Sequence, residues 1–156
     1  MNNLLNYNSW ANRRIMAEVE KLPVELFEKR IGGSFGSLKA TLVHLLESDW
    51  LWLQRFNGIP LADLPEWRID NATTLHEIWK PIQDESSKVV DQYLNEPGKV
   101  ITFITRKGSK HTLPFEEIVT HISHHGSYHR GQLTHIIREL GGTPVGTDYF
   151  IYCVSK

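Results

Sequence analysis

The chain has 156 residues, enough for one domain (taken as 1–156) with a sizeable core and no need of disulfides. Hydrophobic residues make up 40%, charged residues 22%, and the formal net charge is -1, an ordinary globular profile without the basic face a nucleic-acid partner requires. The lone Cys153 excludes an internal disulfide, no apolar run approaches the ~20 residues of a membrane span, and the start MNNLLNYNSWANRR lacks a signal-peptide hydrophobic region; a cytoplasmic protein with neither nucleic-acid nor membrane partner is expected.

Four segments carry a helical period. The first runs from about Asn3 to Leu22, where Leu4, Tyr7, Ala11, Ile15, Val19 and Leu22 recur at three- and four-residue steps and Pro23 closes the run. The second runs from about Ser37 to Phe56, with Leu38, Leu42, Leu45, Trp52 and Phe56 as its stripe and Asn57-Gly58 as its stop. The third opens at Thr74-x-x-Glu77, a capping-box pattern, and continues through Leu75, Ile78, Ile82, Val89 and Tyr93; Pro81 within it predicts a kink or a late start. In KVITFITRKGSKHTL, Val100 to Thr105 alternate as a strand and Lys107-Gly108-Ser109 reads as a turn, which predicts a small hairpin. The last segment runs from about Pro114 to Leu140 and stops at Gly141-Gly142. The tail that follows is turn-rich and then apolar, and its Tyr149, Phe150 and Tyr152 are expected to dock back. The whole reads as all-α: a four-helix bundle with a small β-hairpin between helices three and four.

Four of the chain's eight histidines fall in HISHHGSYHRGQL, residues 121 to 133. At ~100° per residue, Phe115, Ile118, Ile122, Leu133, Ile136 and Leu140 define one apolar stripe. His125 and His129 lie inside that stripe, His121 lies at its edge, and His124 and His135 lie off it. Core-facing imidazoles are costly unless each polar nitrogen is satisfied. Hydrogen bonds to side chains or water would suffice for one, but two at i,i+4 on one face also have the geometry of a helical metal site. A third ligand should come from another helix. Of His44, His76 and His111, His44 is preferred, because Ala40 and Ser48 on its face leave room for an ion and a bound ligand. There is no HExxH, no cysteine cluster, no pair of ExxH motifs, no GxGxxG and no P-loop.

The segment HISHHGSYHRGQL, followed by REL-GGTP and TDYFIY, resembles the signature of the DinB-like (DinB/YfiT) metalloprotein superfamily. YNSWANRRI and HLLESDWLWLQRF resemble that family's first and second helices, so the resemblance covers nearly the whole chain. It implies a four-helix bundle in up-down-down-up order, a homodimer, and a divalent metal held by one histidine of the second helix and two of the fourth: His44, His125 and His129. One departure is His124, where relatives often carry Asn; it lies off the stripe. Family members include metal-dependent thiol S-transferases that use bacillithiol or a similar low-molecular-weight thiol, thiol-dependent isomerases and metal-dependent hydrolases.

Three readings compete: a metal-dependent enzyme, a non-catalytic protein with a structural metal, and a plain helical interaction module whose buried histidines bind nothing. In the first, three imidazoles hold zinc or nickel with a fourth position open, and a thiol or water there is activated for transfer to, or hydrolysis of, a small electrophile. Glu47, one turn from His44, would receive the proton or orient an imidazole, and His121 would support the ligands; the plainer readings are an exposed helix carboxylate and an edge-of-core hydrogen bond. Trp50, Trp52, Ile122 and Leu133 are available to wall an apolar pocket. In the second, the protein is a non-catalytic metal-binding stress-response or interaction protein and the metal is structural.

Overall fold

The structure is a computed structural model and describes residues 2–33, 35–93, 96 and 98–155. It contains α1 (Asn2–Val19), a 3-10 turn at Val24–Leu26, α2 (Leu38–Phe56), α3 (Ala72–Tyr93), the strands β1 (Val100–Ile104) and β2 (Lys110–Pro114), α4 (Phe115–Glu139) and α5 (Tyr149–Val154). The fold is mostly helical with one two-stranded antiparallel sheet. Packing runs in a closed cycle, α1 on α4, α4 on α2, α2 on α3 and α3 on α1. Among the described residues no helix is long and apolar enough to cross a membrane.

The helices follow the apolar periods with small departures at their ends. Leu38, Leu42, Leu45, Trp52 and Phe56 of α2 are all buried, and Ser37 caps the helix by accepting from Ala40 N at 3.1 Å. In α3 the cap is Asn71 rather than Thr74: Asn71 Oδ1 accepts from Thr74 N at 2.9 Å, so the helix starts about two residues before the capping-box reading. Pro81 neither delays nor ends α3. It is exposed, so its ring lies on the solvent side of the helix.

The hairpin pairs Val100 with Pro114 through Ile104 with Lys110. It is tied down at both ends. Ile104 N donates to Pro60 O at 3.0 Å, and Phe115 N donates to Lys99 O at 2.9 Å. Phe103 meets Trp52 of α2 edge to face at 5.2 Å. The tail forms the short helix α5, which the sequence reading had as a docked segment only. Tyr152 is buried against Tyr7 and Trp10, but Phe150 is 72% exposed and points away from the bundle.

Two apolar clusters fill the interior. One joins Ile15, Leu42, Leu46, Trp79, Leu133 and Ile137; the other joins Leu5, Trp52, Phe56, Val90, Phe115 and Ile118. A buried polar network is also built into the bundle. Arg130 of α4, 1% exposed, donates to Asn8 Oδ1 at 2.6 Å and Asn12 Oδ1 at 2.9 Å on α1, and to Ser127 Oγ at 3.0 Å. Asp49 of α2 accepts from Trp79 Nε1 at 2.8 Å and from Gln83 Nε2 at 3.4 Å on α3. The charged Arg130 is tolerated in a core because both terminal guanidinium nitrogens have partners, although, among the described residues, its Nε and Asn12 Nδ2 are buried without one. Gly126 makes the approach of α1 possible: a Cβ there would lie 2.1 Å from Asn8 Oδ1 and 2.6 Å from an Arg130 terminal nitrogen.

Candidate metal centre

His44 projects from α2 and His125 and His129 from successive turns of α4, the two helices that pack side by side. Their rings converge. His125 Nε2 lies 3.0 Å from His44 Nε2 and 3.1 Å from His129 Nε2, and each of the three residues offers a nitrogen within 4.8 Å of the other two. His129 is buried, and His44 and His125 are partly so.

The arrangement fixes which nitrogens have lone pairs to give. His129 Nδ1 lies 2.9 Å from Gln132 Oε1, an oxygen that can only accept. The His129 proton therefore sits on Nδ1, and its Nε2 lone pair faces His125. A neutral imidazole nitrogen is either a donor or an acceptor. His125 Nε2 cannot satisfy both neighbours at once, so the donor set is matched by a cation set among all three. Three nitrogen donors, one oriented from behind by an amide oxygen, are what a divalent transition metal takes. The residues present fit such an ion.

Electrostatics favour the same state. Burial, then the His129 and His44 rings, push the His125 imidazole down to about 4. His44 is lowered by burial, then by His129 and by Arg106. Both are therefore neutral near pH 7, which is the protonation state a metal ligand needs. Phe35 closes one side. A tight turn in which Ile31 N donates to Gly36 O at 2.8 Å presents its ring 4.5 Å from that of His44, stacked at 25°, and 5.5 Å from that of His129.

Beside His44 opens a cavity of about 200 Å³ lined by His44, Glu47, Ser48, Leu51 and Arg106. Ser48 lies where the sequence had it, on the histidine's own face, and Leu51 lines the cavity with it. Glu47 reaches the cavity too, but its described partner is Arg106, at 3.4 Å, rather than an imidazole. His121 is exposed at the site's edge, stacked on His125 at 5.8 Å and edge-on to Trp52 at 5.7 Å. Its imidazole is lowered by burial, then by Arg55 and His124. His76 is held by Glu20 at 2.8 Å and His111 packs on Phe103, both apart from the triad. His124 and His135 are exposed, as the stripe implied.

The tryptophans do not wall this cavity. Trp50 packs against Trp67, and Trp52 with Ile122 borders a different, much smaller space next to Asp49 and Gln83. Leu133 is fully buried in the core. The expected apolar pocket is therefore replaced by a mixed one, with a single leucine among polar and charged groups. Gln132, Phe35 and Arg106 were not picked out from the sequence. Only Gln132 carried a usable signal, since it lies three residues after His129 and so on the same helical face.

A family model described as "DinB family" matches residues 1–155. The chain belongs to the DinB family. It is 29% identical over 164 residues to Protein DinB of Bacillus subtilis (strain 168), covering 96% of this chain and 91% of that protein. It is also 27% identical over 133 residues to the uncharacterized protein YizA of the same organism, covering 80% and 77% respectively. Among solved structures, a DinB-like protein from Bacillus cereus ATCC 10987 superposes with a TM-score of 0.70 over 92% of this chain and 94% of that one, at 15% identity, and so shares the DinB-like fold.

Proposed function

We propose that this DinB-family protein is a metal-dependent enzyme in which His44, His125 and His129 hold one divalent ion, zinc or nickel, and which transfers a low-molecular-weight thiol such as bacillithiol to a small electrophile, or hydrolyses that electrophile. The observation that carries the reading is the convergence of three Nε2 atoms next to a cavity. Three protein ligands leave a coordination position, and the cavity on the His44 side gives that position access. When bound, the ion would lower the pKa of a thiol or water presented to it. Glu47 faces the same cavity and is the carboxylate placed to take the released proton; the imidazole orienter is Gln132, with His121 buttressing His125 by stacking. We further propose a single domain spanning 1–156, a four-helix bundle in up-down-down-up order, a two-fold homodimer and a cytoplasmic location.

A second reading keeps the ion and drops the chemistry: it joins α2 to α4 and serves as a structural staple in a non-catalytic metal-binding stress-response or interaction protein. The contact between two helices through the triad favours it. The test combines two measurements on tag-free, fully metallated protein. Turnover is assayed with bacillithiol, glutathione, mycothiol, cysteine or water against a haloarene and an epoxide, and thermal stability is followed before and after chelation. Turnover with a modest loss of stability on chelation supports the enzyme. Absence of turnover with every nucleophile, together with ready unfolding of the metal-free form, overturns it in favour of the staple.

A further inference from the structure

We infer that Arg106, at the tip of the hairpin, is the anion-recognition residue of the cavity, and that the small molecule taken there carries a carboxylate. This deepens the proposed function and rests on it, because it assigns the class of molecule that the same site accepts.

The first ground is position. Arg106 is one of the cavity's five lining residues, and it is contributed by the β1–β2 turn, not by a helix. That turn is held by built contacts. Thr105 N donates to Ser109 O at 2.9 Å, Gly108 N to Thr105 O at 2.8 Å, and Ile104 N to Pro60 O at 3.0 Å. Arg55 of α2 also reaches Ile104 O at 3.4 Å, while its guanidinium lies 4.4 Å from the Trp52 ring and 5.0 Å from the Phe103 ring. The hairpin thus presents Arg106 from a base anchored to α2.

The second ground is how little of the guanidinium is used. Among the described residues its hydrogen-bond partner is Glu47, through one contact of 3.4 Å. Charge-assisted pairs of this kind run to about 2.7–2.9 Å and are often two-pronged. The side chain is 62% exposed, with donors left to offer to a ligand in the cavity.

The third ground is charge. Arg106 and Arg55 lie close enough together that the Arg55 guanidinium is lowered by burial and then by Arg106. Glu47 is the one carboxylate lining the cavity. Imidazole ligands bring no negative charge to offset a divalent ion. A small anion completes the balance, and the planar fork of an arginine matches a carboxylate geometrically. A carboxylate that takes Arg106 also detaches it from Glu47, leaving that side chain free towards the site.

The test is calorimetric titration of metal-loaded protein at low salt with three probes: propionate, 3-mercaptopropionate and 2-mercaptoethanol. Wild type is compared with Arg106→Gln and Arg106→Lys. Both acids should bind wild type at least tenfold more tightly than Arg106→Gln, with Arg106→Lys between them, whereas 2-mercaptoethanol should differ less than twofold. Equal loss for acid and neutral thiol, unchanged acid affinity in Arg106→Gln, or no binding of either acid to wild type overturns the inference. If 3-mercaptopropionate gains nothing over propionate, the thiol part of the proposed function fails, and the Arg106 dependence of propionate still decides the anion site by itself.

Discussion

Gln132 Oε1 accepts a hydrogen bond from His129 Nδ1 at 2.9 Å, across one turn of the same helix. This amide fixes the tautomer of the most buried histidine of the triad and aims its Nε2 at the other two rings. Removing it lets the ring rotate and the proton migrate. Gln132→Leu should therefore weaken metal binding by roughly 10–100-fold while leaving the helical content intact. Competition against a chromophoric chelator reads the affinity directly. An unchanged affinity would show that packing against Phe35 and Tyr128 orients the ring without help from the amide.

Removing a ligand should be more severe than removing its support. His44→Ala, His125→Ala and His129→Ala are each expected to lose stoichiometric metal, as read by elemental analysis of tag-free protein. His76→Ala and His111→Ala serve as controls, because both rings lie outside the triad, and they should retain it. Full occupancy in the three triad variants would remove the centre from consideration.

Acid should act on the metal-free protein through two groups of opposite sign. Burial raises the Asp49 carboxyl from 3.8 to about 6, despite hydrogen bonds from Trp79 and Gln83 and the nearby Arg130, all of which lower it. Between those values the folded state holds a proton that the unfolded state has lost, so stability falls as pH rises from about 4 to 6. The His125 imidazole moves from 6.5 down to about 4. There the unfolded state holds the extra proton, and stability rises with pH over nearly the same window. The two slopes oppose each other, with the lowered His44 adding to the rising one. Asp49→Asn keeps an oxygen for Trp79 Nε1 but cannot ionise. It should be more stable than wild type at pH 7, by about 3 kcal/mol, and no different at pH 4, so that its melting temperature climbs steeply across the interval where wild type is flatter. Parallel curves for the two proteins would contradict the assignment.

Gly126 gives a prediction that runs against helix propensity. Alanine in mid-helix is favoured over glycine by about 1 kcal/mol. Here the added Cβ would fall 2.1 Å from Asn8 Oδ1 and 2.6 Å from the Arg130 nitrogen bonded to it. Either that buried hydrogen bond breaks or α1 moves away. Gly126→Ala should destabilise by about 2 kcal/mol net, a loss of the size expected for an unsatisfied buried group, measured by chemical denaturation. A stabilised variant would mean that the network rearranges freely.

The helices and the triad were legible in the sequence for a common reason: both depend on spacing along one element. Apolar steps of three and four placed α1, α2 and α4, and the same arithmetic put His125 and His129 on the buried face and His124 and His135 outside. Asn71 was missed as the cap of α3 because Thr74 and Glu77 offer a competing pattern three residues later, and only the backbone decides between them. Arg106 and Phe35 were invisible because they come from turns, where direction depends on how the turn is anchored elsewhere: Ile104 on Pro60 for one, Ile31 on Gly36 for the other. Asn8, Asn12 and Arg130 are polar residues whose burial follows from each other, and no periodicity identifies a group whose partner lies 118 to 122 positions away.

His44 and His125 are 81 positions apart in the chain, yet their ring nitrogens are 3.0 Å apart. The intervening segment holds most of α2, all of α3 and the whole hairpin. With a single cysteine, the chain has no covalent means of closing a loop on itself. An ion shared by these two rings would do so, and closing a ring of that length in a disordered chain costs conformational entropy worth about 4 kcal/mol. Packing of α2 against α4, in an apolar cluster that includes Leu42, Leu46, Leu133 and Ile137, works towards the same closure. The triad would thus act as a clasp, and metal binding there is coupled to how firmly the two helices hold each other.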